Sequence, residues 1–271
     1  MAIREEQVTL VGDGRPLNGF VAAPAGRGPF PALVVIHEIW GLDDHIRDVT
    51  RRFAAAGYLA LAPDLYTGEL AEAMSPANIM AGMQFLRQAP PEVQRDPRVL
   101  QERIGDLDPA ERRALLTLMR VMSPEQRSAF AHDLVGAVGY LGGRPDVAAS
   151  RLGSLGFCMG GGLSAHLATM SPQLRACVIF YGDSPPLDAV GHIRAAVLGL
   201  YGGEDRRITD TVPALAAALA AAKVPFAYHV YPGARHAFFN DSRPATYDAA
   251  AAADAWQRVL DFLGRELGPT T

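Results

Sequence analysis

Lysine is nearly missing from this chain. Of its 25 basic residues, all but Lys223 are arginines, and they are scattered rather than gathered into a patch. With a net charge of -4, this excludes a basic footprint for nucleic acid. The arginine bias alone carries no function. Cysteine is scarce too: only Cys158 and Cys177 are present, and they would pair only in an oxidising compartment. The first residues, MAIREEQVTLVGDG, carry charge at Arg4, Glu5 and Glu6 and contain no apolar core. They do not read as a secretory signal, so free thiols in the cytoplasm are expected. No apolar run reaches the roughly 18 residues of a membrane helix, and neither an internal repeat nor a long polar linker stands out.

What is present is apolar residue, 49% of 271, enough for a sizeable core in a single domain over 1–271. The pattern alternates strand and helix. Residues 7–23 suggest an antiparallel hairpin turning at GDGR. PALVVIHEI (31–39), YLALAPDLY (58–66), RLGSLGF (151–157), RACVIFYG (175–182), HIRAAVLGLYGGED (192–205) and PFAYHVYPGARH (225–236) read as strands. Helical spacing fills 45–57, the stretch after residue 158, 208–223 and about 245–266. This predicts a mostly parallel, doubly wound α/β sheet with helices on both faces. The interval before the strand at 151 is too long for one crossover. Ser75, Asp108 and Ser123 each precede a proline that opens a helical pattern, the arrangement of an N-cap with proline at the first helical position. The sequence therefore predicts a helical insertion over 70–125, read as a lid or pocket wall, with a helical decoration or an oligomer contact as the alternatives.

Three polar residues fall just past strand ends, where catalytic groups gather in an open α/β sheet. They are Cys158 in GFCMGGG, Asp205 in YGGED and His236 in GARHAF. Their order is nucleophile, acid, histidine. A thiolate can attack an acyl carbonyl, an imidazole can take and return the proton, and a carboxylate can hold the imidazole in one tautomer. The glycines let the chain turn sharply at Cys158, and a helix N-terminus there favours a thiolate. Taken singly, Cys158 reads as a small core residue, Asp205 as a turn residue and His236 as a loop histidine. Glu204 is a rival acid. Glu38, in HEIWG, reads as a loop carboxylate, or as a metal ligand beside His37 that lacks the second histidine of H-E-x-x-H.

Together HEIWGL (37–42), APDLY (62–66), GFCMGG (156–161), YGGED (201–205) and GARHAF (233–238) resemble the dienelactone hydrolase family of the α/β-hydrolase superfamily over nearly the whole chain. Thiolate chemistry at Cys158 needs no metal and no cofactor, and the resemblance implies an α/β-hydrolase fold. It implies that Cys158, Asp205 and His236 are catalytic and that Glu38 hydrogen-bonds the resting thiol. It also implies an oxyanion hole from the backbone N–H groups of Ile39 and Met159. The family holds a substrate carboxylate with arginines, one of them four residues after the histidine, where this chain has Asn240. Arg235 is a substitute, and Arg87, Arg95, Arg98 and Arg103 are candidates for the other. Trp40, Tyr66, Phe238 and Phe239 read equally as pocket lining or core.

The leading reading is a cytoplasmic cysteine-dependent hydrolase of lactones or small esters, acting through a thioester acyl-enzyme on a small-molecule partner. Its alternatives are a general carboxylesterase, a non-catalytic relative that binds a small acyl ligand, and a thiol-redox protein. The last lacks a C-x-x-C pair.

Overall fold

The computed structural model describes residues 1–88 and 97–268. Arg95 therefore lies outside the described residues. The chain divides into two compact units: Met1–Leu65 with everything from Ala129 onward, and Tyr66–Ser128.

The first unit holds one sheet of eight strands: β1 (Ile3–Val11), β2 (Pro16–Pro24), β3 (Phe30–Ile36), β4 (Leu59–Pro63), β5 (Val147–Phe157), β6 (Leu174–Phe180), β7 (Ala196–Gly202) and β8 (Phe226–Tyr231). Their order is β1-β2-β4-β3-β5-β6-β7-β8. β2 runs antiparallel to both β1 and β4, and every other neighbouring pair is parallel. The helices are α1 (Asp44–Ala55), α2 (Leu70–Ala73), α3 (Pro76–Gln88), α4 (Pro97–Gly105), α5 (Pro109–Val121), α6 (Pro124–Gly142), α7 (Met159–Met170), α8 (Arg206–Thr209), α9 (Val212–Ala221) and α10 (Ala249–Glu266).

Every residue of β3, FPALVVI, is buried. A strand covered on both faces has no polar side to show, which is why its sequence is a continuous apolar run. On one face α1 and α10 contribute Ile46, Val49, Phe53, Val259, Phe262 and Leu263 to a core with Leu33, Val35, Leu155, Phe157, Val178 and Phe180. On the other face lies α7. Its Ser164 hydroxyl bonds that of Ser154 at 2.8 Å, and the Cys177 thiol donates to the Ser164 carbonyl at 3.4 Å. Burial pushes the Cys177 thiol up to about 11, so this cysteine is an inert, protonated core group. The hairpin turn is tied to α6 through Asp133, which accepts from Arg15 at 2.5 Å and from the Asp13 backbone N–H at 3.0 Å.

Two segments differ from the sequence reading. The strand expected over 192–205 begins only at Ala196, because Leu187–His192 forms a 3-10 turn. The helix expected over 208–223 is broken into α8 and α9, and Pro213 stands at the start of α9, where a missing N–H costs nothing. The last helix starts at Ala249, and Asp248 caps it by accepting from the N–H groups of Ala250 and Ala251 at 3.1 and 3.0 Å.

The second unit contains α2 to α5. Asp108 caps α5 through the N–H groups of Ala110 and Glu111 at 2.8 and 3.0 Å, with Pro109 next. Arg112 closes the end of α4 by donating to the carbonyls of Ile104 and Leu107, both at 3.1 Å, and to that of Gly105. A cation over the last carbonyls of a helix satisfies groups that have no partner inside it. Among the described residues no helix is long and apolar enough to cross a membrane.

Candidate active site

Cys158 sits between β5 and α7 with φ +55° and ψ −117°. A side-chain-bearing residue rarely adopts this conformation, and strain of this kind concentrates at functional sites. Its surroundings impose it. The Cys158 N–H bonds the Phe180 carbonyl at 3.0 Å, while its own carbonyl accepts from Gly161 and Gly162 at 3.0 and 3.3 Å. A Cβ on Gly160 would collide with the carbonyl oxygens of Ile36 and His37, and one on Gly156 with that of Gly160. The turn is possible only with hydrogen at both positions. Gly160→Ala is expected to cost about 1–3 kcal/mol of stability and to displace Cys158. A lower denaturation midpoint together with lost hydrolysis would show it.

Asp205 follows β7, and its backbone carbonyl opens α8 by accepting from Ile208 and Thr209 at 3.0 and 2.8 Å. His236 lies beyond β8, and Ala237 next to it has φ +64°. The two meet: His236 Nδ1 donates to Asp205 Oδ2 at 2.5 Å. Glu204, the rival acid, is exposed and makes no such contact. Burial disfavours the charged imidazole. Hydrogen bonds with Asp205 and Cys158, and the charges of both, outweigh it and raise His236 to about 10. Cys158 is half-buried against the core. Met159 is the first residue of α7 and Ile39 follows Glu38, both buried.

Glu38 is 2% exposed. Its Oε1 accepts from the Tyr181 hydroxyl at 3.3 Å and its Oε2 from Asn240 Nδ2 at 2.6 Å. These bonds go to two neutral donors rather than to the Cys158 thiol that the resemblance implies. Burial raises the Glu38 carboxyl above its ordinary range. The Asn240 bond and the charges of His45 and His236 pull it down, while Asp43 adds to the rise. His37 holds the backbone beside it: Nδ1 donates to the Glu38 carbonyl at 2.6 Å, and Nε2 accepts from the Leu65 N–H at 3.2 Å. Those two bonds fix the neutral Nδ1–H tautomer. They also occupy both ring nitrogens, so His37 is not available as a metal ligand.

Tyr181 is the residue that sequence reasoning missed. It directly follows β6, has φ +39°, and is fully buried. Its ring meets the edge of His236 at 5.2 Å between centroids while its hydroxyl reaches Glu38. Burial, then the charges of Glu38 and Cys158, raises its hydroxyl well above 10, which keeps it a donor. The signal in the sequence was slight: a tyrosine at the end of an apolar strand, the kind of residue that needs a partner when buried.

The remaining candidates separate. Asn240 is fully buried. Phe238 and Phe239 belong to the core. Trp40 is half-buried beneath Arg243, whose guanidinium carbon is 3.8 Å from the ring centroid. Arg235 is exposed and donates to the Ala245 carbonyl at 3.4 Å. Tyr66 is buried and is the first residue of the second unit.

An eight-stranded, mostly parallel sheet with helices on both sides, carrying a strained cysteine elbow and a His–Asp pair at one edge, defines an α/β-hydrolase. The model of the "Dienelactone hydrolase family" matches residues 17–267. A "Putative carboxymethylenebutenolidase" of Saccharolobus solfataricus is 40% identical over 96% of this chain and 98% of its own. A protein of the same name from Escherichia coli is 36% identical over 87% of this chain and 77% of its own. The crystal structure of a "Putative Dienelactone Hydrolase" from Klebsiella pneumoniae superposes with a TM-score of 0.71 at 32% identity, covering 98% of this chain and 100% of that one. The chain belongs to the dienelactone hydrolase family, and with it to the carboxylic ester hydrolases.

Proposed function

We propose that this protein is a cytoplasmic, cysteine-dependent hydrolase of lactones or small carboxylic esters. The observation that carries the reading is the His236–Asp205 bond of 2.5 Å on an imidazole whose proton affinity is raised by Cys158 as well as by Asp205. His236 takes the proton from the Cys158 thiol, and the sulfur adds to the ester carbonyl carbon. The resulting oxyanion faces the N–H groups of Met159 and Ile39, a type of donor worth roughly 3–4 kcal/mol in the transition state. The C–O bond then breaks, the alkoxide leaves with the proton from His236, and a thioester remains. Water, deprotonated by His236, hydrolyses the thioester and restores the thiol. Asp205 holds the imidazole tautomer throughout. The names of the two curated relatives support a lactone as the natural ester.

The test is initial hydrolysis rates on a dienelactone and on a neutral short-chain aryl ester, before and after alkylation of Cys158. Loss of turnover on alkylation is expected for whichever substrate is accepted. Turnover that survives complete alkylation would remove the assignment. The alternative of a general carboxylesterase is favoured by one observation: the Asn240 amide is committed to Glu38 and is not offered to a substrate carboxylate. Preference for the neutral ester would select it.

A further inference from the structure

The sheet ends on β8, and the outer side of that strand is open. The Val197 N–H donates to the Pro225 carbonyl and the Gly203 N–H to the Tyr231 carbonyl, both at 2.8 Å. The backbone groups of successive strand residues point to opposite sides, so 225, 227, 229 and 231 face β7. The N–H and C=O groups of Phe226, Tyr228 and Val230 then point away from the sheet. Among the described residues, no backbone hydrogen bond from another segment reaches these three. Tyr228 is 49% exposed, and its ring stacks on that of Phe226 with 5.4 Å between centroids.

An open edge is a template for pairing with another chain unless charge, proline or a bulge blunts it. The opposite edge, β1, carries Arg4, Glu5 and Glu6 in IREEQVTLV. β8 is FAYHVY, with no acid, lysine, arginine or proline, and its register with β7 runs without a bulge. Asp254 of α10, which accepts from the Tyr231 hydroxyl at 2.8 Å, is itself paired with Arg258. It adds no unpaired charge beside the strand.

We propose that β8 is a homodimer interface: two copies of this chain pair their β8 strands antiparallel about a two-fold axis at Tyr228, joining two sheets into one. A two-fold contact must be complementary to itself, and this strand is so in that register. Phe226 of each copy lies opposite Val230 of the other, and the two Tyr228 rings meet at the axis. Aromatic–β-branched and aromatic–aromatic pairs are stabilising cross-strand combinations. On the other face the small Ala227 lies opposite the larger His229. The three outward residues of each strand exchange about six main-chain hydrogen bonds across the axis. Moving the axis along the strand leaves fewer of them paired.

Sedimentation velocity of the whole protein tests this. The wild type should run as a dimer of the 28.9 kDa chain that dissociates on dilution. Tyr228→Pro removes an N–H that serves only the outer edge, where strands tolerate proline. It deletes two of the bonds across the axis and should raise the dimer dissociation constant at least about tenfold. Tyr228→Lys sets two ammonium groups against each other at the axis and should do the same. Both variants should keep the wild-type circular dichroism, which separates a lost contact from a lost fold. Tyr228→Cys should cross-link into a dimer under mild oxidation, because directly opposed hydrogen-bonded residues stand about 5.5 Å apart at Cα, within disulfide reach. Ala227→Cys should not, because its two copies are offset along the strands; the wild type is the blank for Cys158. A wild type that stays monomeric up to about 100 μM overturns the proposal. So does a dimer that Tyr228→Pro and Tyr228→Lys both leave intact, since another face then holds it. So does Tyr228→Cys cross-linking no faster than Ala227→Cys, a result that stands even where the proline or lysine variant fails to fold.

Discussion

Cys158→Ala is expected to lower ester hydrolysis by at least about 10³-fold while leaving the melting temperature within a few degrees of the wild type. The two halves of this expectation have different origins. The rate falls because no other described side chain stands on the strained turn between β5 and α7, where a nucleophile meets both His236 and the start of a helix. Cys177, the other thiol, lies buried against Ser164 with its proton held up to about 11, and cannot take over. The fold survives because alanine carries the same Cβ into the same φ, so the strain is unchanged. The sulfur lost is half-buried rather than core. Initial rates and a thermal melt on one preparation measure both. Turnover within tenfold of the wild type would exclude Cys158 as the nucleophile. A non-catalytic ligand-binding module would show no hydrolysis in either protein.

What the sequence made legible is what depends on strand ends. Cys158, Asp205 and His236 could be assigned to one edge of the sheet because each falls within a few residues of the end of an apolar run, and parallel strands bring such positions together whatever the helices between them do. Asp108 was legible as a cap because a cap is local. What escaped depends on side chains converging from distant strands. Glu38 and Asn240 lie 202 residues apart, and nothing along the chain says that the amide faces the carboxylate. The family pattern sent Glu38 to the thiol; the structure gives its oxygens to Tyr181 and Asn240. Tyr181 was read as part of a strand, because its backbone turn and its hydroxyl's reach are invisible in an apolar run. The breaks at 193–195 and 210–211 were likewise missed. Neither Ile193-Arg194-Ala195 nor Asp210-Thr211 contains a glycine or proline, so nothing local marks the change in backbone direction.

Asp205→Asn is expected to lower kcat by about 10³–10⁴-fold, the scale set by replacing the acid of a Ser-His-Asp triad. The His236–Asp205 bond of 2.5 Å requires Nδ1–H facing the carboxylate, which presents Nε2 to the nucleophile. An asparagine can offer its NH2 to Nδ1 instead, and the proton then sits on the wrong nitrogen. The same substitution has a signature in stability that the rate does not show. Burial works against the charged imidazole, but the bonds with Asp205 and Cys158 and their charges overcome it and raise His236 to about 10, against about 6.5 in an unfolded chain. A group whose folded value lies above its unfolded one stabilises the fold fully below the unfolded value. That contribution is lost as pH rises through the folded value. The wild type should therefore exceed Asp205→Asn in stability most at about pH 6, with the gap narrowing up to and beyond about pH 10. Denaturant unfolding of both proteins across that range measures it. A gap that stays level would mean that Asp205 orients a neutral ring rather than holding a charged one. The nucleophile would then have to be activated within the transition state and not before it.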